Sequence, residues 1–150
     1  MAMAERRAEV VWEGNLTQGK GTITSTGSGA FSGGLPVTWA SRVERSDGRT
    51  SPEELIAMAH ASCYAMALSH TLNEAGSPPQ RLQVSSVVTV EPNPGGGIKV
   101  GESRLEVRGS VPGIDQAKFE ELAKKGEQGC PISNALRGSV NISLKATLEQ

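Results

Sequence analysis

Two cysteines are the residues of this 150-residue chain best suited to do chemistry. Cys63 lies in the middle of the apolar run SPEELIAMAHASCYAMALSH, residues 51–70. Cys130 directly precedes Pro131, and proline is favoured at the first position of a helix. The Cys130 thiol is therefore predicted to face the N–H groups that a first helical turn leaves unpaired. Such cysteines are either buried and inert or engaged in redox chemistry, and their positions alone leave both interpretations open.

A reactive Cys63 would need a positive charge nearby. Burial among apolar side chains raises the pKa of a thiol, whereas the thiolate is the nucleophile. Arg42 and His60 are the available residues of a suitable type. By default, however, Arg42 is a solvated residue on a predicted strand, and Glu53 is a first-turn acid that suits the positive end of a helix.

The same residues could also suggest a metal site or a cysteine–histidine hydrolase. His60 and His70 flank Cys63 at helical spacing, but no second ligand pair with metal-binding spacing accompanies them. A cysteine–histidine hydrolase needs an oriented base and an oxyanion hole, and the sequence indicates neither. We therefore expect no metal and no other cofactor.

The element that carries Cys63 is a predicted helix over residues 52–75. Ser51 is a natural N-cap, Pro52 suits the first helical position, and Glu54 would complete a capping box. At 1.5 Å per residue the helix would be roughly 36 Å long. Its apolar residues spread around the whole circumference, which is typical of a helix buried on all sides. One small chain has little material to cover it, so a partner subunit is expected.

The remaining pattern predicts an α+β fold. Further helices are expected at residues 115–125, with Asp115 as N-cap, and at residues 130–138, with Cys130 as N-cap. Strand candidates occupy residues 9–12, 20–25, 36–44, 82–91, 98–111 and 139–148. The last alternates cleanly between apolar and polar residues, which favours a half-buried antiparallel strand.

Composition narrows the function classes. A net charge of −1 lacks the excess positive charge that is typical of proteins binding nucleic acid or an anionic membrane. No apolar stretch is long enough to span a bilayer, and the N-terminus lacks the apolar core of a signal peptide. We expect a single domain over residues 1–150. We also expect it to lie in the cytoplasm, where cysteines rarely form permanent structural disulfides.

Several motifs together resemble the OsmC/Ohr family, the osmotically inducible protein C and organic hydroperoxide resistance proteins. SPEELIAMAHASCYAMAL is similar to the first cysteine motif of that family, and GCPISNAL is similar to the second. Further matches are WEGNLTQGKGT, EAGSPPQRL and VPGIDQAKFEELAKKG, so the resemblance covers nearly the whole chain in order. The early Trp-Glu-Gly and Arg42 within SRVERSDG resemble the OsmC branch more than the Ohr branch.

The resemblance implies a cysteine-based, peroxiredoxin-like antioxidant enzyme of the stress response. It would reduce organic hydroperoxides in preference to hydrogen peroxide. Cys63 would be the peroxidatic cysteine, Cys130 the resolving cysteine, Arg42 the active-site arginine and Glu53 its orienting glutamate. An external dithiol, with dihydrolipoyl groups as the family-level candidate, would restore the thiols. The implied fold is an intertwined homodimer with antiparallel sheets packed around long central helices.

Two alternatives remain open at this stage. Glu53 and Cys63 are about 15 Å apart along a straight helix, so Glu53 acts either through Arg42 or in the site of the other subunit. The second alternative concerns the whole function. The same dimeric fold could be a binding protein that holds an apolar ligand, with only vestigial redox activity.

Overall fold

The computed structural model describes residues 1–149, which form two compact units, Met1–Pro52 and the stretch from Glu53 onward. Both units combine strands with helices, so the predicted α+β class is confirmed. In residues 1–149 no helix has the length and apolar character needed to cross a membrane.

The first unit is a small antiparallel sheet followed by one short helix. Its elements are β1 (Ala8–Glu13), β2 (Lys20–Thr26), β3 (Leu35–Val37) and α1 (Trp39–Val43). The strand order is β1-β2-β3, and β2 pairs antiparallel with both neighbours. The strand candidates at residues 9–12 and 20–25 therefore correspond to β1 and β2.

Arg42 lies in a helix, so the prediction of a strand over residues 36–44 is wrong for most of that segment. Thr38 is the N-cap of α1 and forms a capping box with Ser41. The Ser41 N–H donates to Thr38 Oγ1 at 3.0 Å, and the Thr38 N–H donates to Ser41 Oγ at 2.9 Å. This reciprocal pair starts a helix at Trp39 despite the apparent alternation of the sequence.

The second unit contains the long helix α2 (Pro52–Glu74), a three-stranded sheet and two further helices. The remaining elements are β4 (Arg81–Pro92), β5 (Ile98–Ser110), α3 (Gln116–Gln128), α4 (Pro131–Leu136) and β6 (Asn141–Leu148). Strands β4 and β5 form an antiparallel hairpin around the loop at residues 93–97. Asp115 caps α3, as predicted, by accepting from the Lys118 N–H at 2.8 Å.

Strand β6 runs parallel to β5, so the expected antiparallel pairing is wrong. The register pairs Glu102 with Asn141 and Gly109 with Leu148. Helices α3 and α4 lie between the two strands in the sequence, and such a crossover returns the chain in its original direction. Alternation reveals which side chains face the core, but it carries no information about strand direction.

The core of the second unit joins α2, β5 and α3. Its buried apolar residues include Tyr64, Leu68, Leu72, Leu105, Val107, Val111, Phe119, Leu122, Ala123 and Cys130. Gly126 lies within α3, one residue beyond the predicted end of that helix, and a Cβ there would stand 3.1 Å from the Leu68 Cα. The absent side chain therefore lets α3 pack closely against α2.

Helix α2 is covered on one face and uncovered on another. His60, Tyr64, Leu68 and Leu72 recur every four residues and are buried. Met58 and Met66, displaced around the helix from that stripe, retain 46% and 69% exposure. The chain alone therefore leaves part of α2 exposed, whereas the composition of the helix predicted burial on all sides.

Gly109→Ala should destabilise the second unit. A Cβ at Gly109 would stand 2.6 Å from Phe119 Cζ and 3.1 Å from Leu82 Cδ2, so the packed phenyl ring must move. We expect a loss of about 1–3 kcal/mol in the free energy of unfolding, as for other overpacked cores. Urea denaturation measures it, with Gly95→Ala as the control because a Cβ there meets nothing within 4 Å. Equal stability of the two variants would contradict this packing.

Candidate active site

The two cysteines come from different helices of the second unit and share one core. Cys63 is half-buried on α2, and Cys130 is fully buried as the N-cap of α4. Cys130 belongs to the buried cluster, and Cys63 packs against it. Both thiols are free. The prediction that Cys130 caps a short helix beginning at Pro131 is confirmed.

Backbone groups in the first turn of α4 interact with both cysteines. The Ser133 N–H donates to Cys130 Sγ at 3.5 Å. The backbone of the preceding residue, Ile132, acts on the Cys63 thiol as well and lowers its pKa. Two consecutive residues of one helical turn thus act on the two sulfurs that the sequence places 67 positions apart.

The local environment holds Cys63 in its protonated form. Burial raises the pKa of the Cys63 thiol above its ordinary value of 9.0, and the neighbouring Cys130 raises that pKa further. The hydrogen bond from the Ile132 N–H lowers it but does not outweigh the other effects. An additional favourable charge would be needed for a thiolate at neutral pH.

His60 does not supply that charge. It is fully buried, and burial lowers its pKa below 6.5, with Glu127 opposing and Arg137 reinforcing the shift. Its Nδ1 shares a hydrogen bond with Ser103 Oγ at 2.6 Å, and its Nε2 shares one with Ser133 Oγ at 2.7 Å. The ring is therefore neutral at neutral pH and engaged on both nitrogens, so it suits neither a thiolate partner nor a metal ligand.

These serines form a buried polar chain that sequence reasoning missed. Ser86 Oγ lies 3.0 Å from Ser103 Oγ, which extends the chain from β4 through β5 and His60 to α4. One signal was available. Ser103 occupies an inward-facing position of β5, where Leu105 and Val107 follow on the same face. A polar residue in such a series needs a buried partner.

An ion pair joins α4 to the helix before it. Arg137, the C-cap of α4, donates from Nη2 to Glu127 Oε1 of α3 at 2.8 Å. The Glu127 side chain is only 12% exposed, which limits screening by solvent. On the same side of the core, the Tyr64 hydroxyl donates to the Ala123 carbonyl at 2.9 Å.

Arg42 and Glu53 belong to different units. Arg42 is partly exposed in the last turn of α1, and Glu53 is buried in the first turn of α2. Their proposed roles stay predictions. His70 is exposed on α2. In the stretch from residue 1 to residue 149, no three His, Cys, Asp or Glu residues gather in a way that could hold a metal ion.

Comparison with known proteins gives consistent matches. A family model described as OsmC-like protein matches residues 45–145. Peroxiredoxin OsmC of Escherichia coli (strain K12) is 36% identical over 137 residues, covering 91% of this chain and 93% of the relative. An organic hydroperoxide resistance protein of Xanthomonas axonopodis pv. citri is 36% identical over 97 residues, covering 63% of this chain and 65% of the relative.

Solved structures agree with these sequence matches. The crystal structure of an organic hydroperoxide resistance protein OsmC from Legionella pneumophila superposes with a TM-score of 0.76 at 25% identity. The match covers 98% of this chain and 99% of the other. The OsmC/Ohr-type α+β fold implied by the sequence motifs is thereby confirmed for the single chain.

The buried His60 should make stability fall in mild acid. Because its pKa is lowered in the folded state, the unfolded chain binds the proton more readily below pH 6.5. The free energy of unfolding should therefore decline as the pH falls through 6.5, and His60→Gln should flatten that decline. Urea denaturation between pH 7.5 and about 5 measures the slope. The control is His70→Gln, at an exposed position of α2, and parallel curves for wild type and His60→Gln would refute the assignment.

Proposed function

The chain belongs to the OsmC-like protein family, and on that basis we propose that it is a thiol-dependent peroxidase that reduces organic hydroperoxides to alcohols. The observation that carries the proposal is the convergence of Cys63 and Cys130 on the first turn of α4. Relatives named peroxiredoxin and organic hydroperoxide resistance protein support a redox function in general. The roles of the individual residues are our proposal.

In the first step, the Cys63 thiolate attacks the distal oxygen of the hydroperoxide. An S–O bond forms and the O–O bond breaks, so sulfur is oxidised to sulfenic acid and the alkoxide leaves and takes up a proton as the alcohol. Cys63 packs against a cluster of apolar side chains, which favours an organic substrate over hydrogen peroxide. The sulfurs carry out the chemistry, so we propose no metal or organic cofactor.

In the second step, Cys130 resolves the sulfenic acid. The Cys130 sulfur attacks the Cys63 sulfur, an S–S bond forms, and hydroxide leaves and combines with the Cys130 proton as water. An external dithiol then restores both thiols by thiol–disulfide exchange and is itself oxidised. Dihydrolipoyl groups are the proposed reductant. Because the cycle requires a reducing compartment, we propose that the protein works in the cytoplasm.

Arg42 is proposed to activate Cys63. The known local effects leave the pKa of that thiol raised, and His60 is neutral, so an arginine is the simplest remaining source of charge. Arginine stays protonated when partly desolvated, and its planar fork can bind two groups at once. Glu53 is proposed to orient it, either in the same chain or across the dimer.

We further propose that the protein acts as a homodimer. Met58 and Met66 leave one face of α2 exposed, although methionine is among the residue types most often buried. In the first unit, β1 is exposed at every residue, including Val10 and Trp12. A second copy covering these surfaces would bury the apolar area that each unit leaves open.

The dimer predicts a mass of about twice the 15.7 kDa of one chain in sedimentation at micromolar concentration. Met66→Glu should weaken it, because a charge would enter the apolar interface without a partner. Ser85→Glu, on an exposed position of β4, is the matched control and should sediment like the wild type. A monomeric wild type would contradict the shared assembly.

The two cysteines should fail differently. Cys63→Ser should abolish hydroperoxide reduction, whereas Cys130→Ser should stall after one turnover, because no second protein thiol remains to resolve the sulfenic acid. Mass spectrometry of hydroperoxide-treated Cys130→Ser should find Cys63 as sulfenic acid or its over-oxidised products. If Cys63→Ser still turned over and carried oxidised Cys130, the two roles would be reversed.

Arg42→Ala should raise the Cys63 pKa further and slow peroxide attack by about 100-fold or more, because the compensating charge is lost. Arg42→Lys should restore only part of the rate. Thiolate ultraviolet absorbance against pH measures the pKa in a Cys130→Ser background, where only Cys63 titrates. Arg45→Ala is the control, since Arg45 is exposed beside Asp47. Superimposable titrations with and without Arg42 would exclude it as the activator.

A further inference from the structure

Helix α4 depends on contacts outside itself. It spans only Pro131–Leu136, and a helix of six residues is not stable alone. Asn134 Nδ2 donates to the Gln128 carbonyl at 3.1 Å, and Arg137 pairs with Glu127, so these contacts join α4 to its immediate sequence neighbours. Among the side-chain hydrogen bonds of α4 within residues 1–149, the one between Ser133 and His60 reaches a distant element.

That hydrogen bond joins the helices of the two cysteines. His60 lies three residues before Cys63 on α2, and Ser133 lies three residues after Cys130 on α4. The ring is fixed from its other side by Ser103 of β5. A neutral imidazole donates from one nitrogen and accepts at the other, so it can satisfy both hydroxyls in either tautomer.

Ser133 is also part of the turn that binds sulfur. Its backbone N–H donates to Cys130 Sγ while its hydroxyl is held by His60 Nε2. Displacement of this residue would therefore move the resolving cysteine and the Ile132 N–H together. Disulfide formation is sensitive to such movement, because the bond needs Cα atoms about 4.4–6.8 Å apart and correctly directed Cβ atoms.

We propose that His60 is a positioning residue for disulfide formation, which holds Cys130 opposite Cys63 through its hydrogen bond to Ser133. This inference rests on the proposed function, for which it specifies what sets the rate of the resolving step. Fast resolution matters because a sulfenic acid that waits can meet a second hydroperoxide and become sulfinic acid.

Two serine variants separate positioning from general stability. Ser133→Ala removes the hydroxyl that ties His60 to α4, whereas Ser103→Ala removes the one that ties it to β5. Both serines are fully buried and both bond the same ring, and Ser103 also bonds Ser86, so Ser103→Ala should lose at least as much free energy of unfolding in urea as Ser133→Ala. They should differ in the chemistry of the cysteine pair.

The first measurement is the equilibrium between the Cys63–Cys130 disulfide and a glutathione redox buffer, which needs no peroxidase activity. The effective concentration of the pair should fall about tenfold or more in Ser133→Ala and stay within about threefold of wild type in Ser103→Ala. The second is stopped-flow reaction with tert-butyl hydroperoxide. There Ser133→Ala should slow disulfide formation more than peroxide attack and accumulate more sulfinic acid.

A second pair of variants applies if either serine variant does not fold. His60→Gln places an amide near the position of Nε2 and should keep resolution close to wild type, whereas His60→Asn places one near Nδ1 and should lose the tie to α4. Equal losses within each pair, or an unaffected Ser133→Ala, would overturn the inference. If the wild type does not react with hydroperoxide while the serine variants still differ as expected in glutathione buffer, only the proposed function is refuted.

Discussion

The candidate site depends on one helical turn that is shared by two sulfur atoms. The Ser133 N–H donates to the Cys130 sulfur, and the backbone of Ile132 lowers the pKa of Cys63. A six-residue helix cannot hold that turn in place by its own hydrogen bonds. The ion pair between Glu127 and Arg137 and the hydrogen bond to His60 hold it from outside. Close packing of α3 on α2 at Gly126, four residues before Cys130, supports the same region.

Burial creates a chemical conflict at this site. The apolar surroundings of Cys63 suit an organic substrate, but they also raise the thiol pKa and so oppose the thiolate. The structure resolves part of the conflict with an N–H donor. It does not use the nearby histidine for this purpose, because burial keeps His60 neutral and both of its nitrogens are engaged by serine hydroxyls. The proposed role of Arg42 follows from this remaining need.

Local sequence signals predicted the features that depend on local physics. Pro131 after Cys130 and Asp115 before α3 indicated helix starts that the structure confirms. The direction of β6 was missed because alternation is the same in parallel and antiparallel strands.

The short helix that carries Arg42 was missed because the reciprocal capping by Thr38 and Ser41 outweighs the strand-like pattern. The buried serine chain had no periodic signal beyond one polar residue on an inward face. The roles of Arg42 and Glu53 stay predictions, since they require groups from two separate units.

The central claim is that Cys63 and Cys130 act as one redox pair on a hydroperoxide. The most direct measurement treats the fully reduced wild type with one equivalent of tert-butyl hydroperoxide, counts free thiols over time and maps the product by mass spectrometry. The account predicts that both thiols disappear together and that a peptide linked through Cys63 and Cys130 is recovered, lighter by two hydrogen atoms than its reduced parts. Retention of both thiols while the hydroperoxide or its alcohol stays bound would contradict it and would identify a binding protein instead.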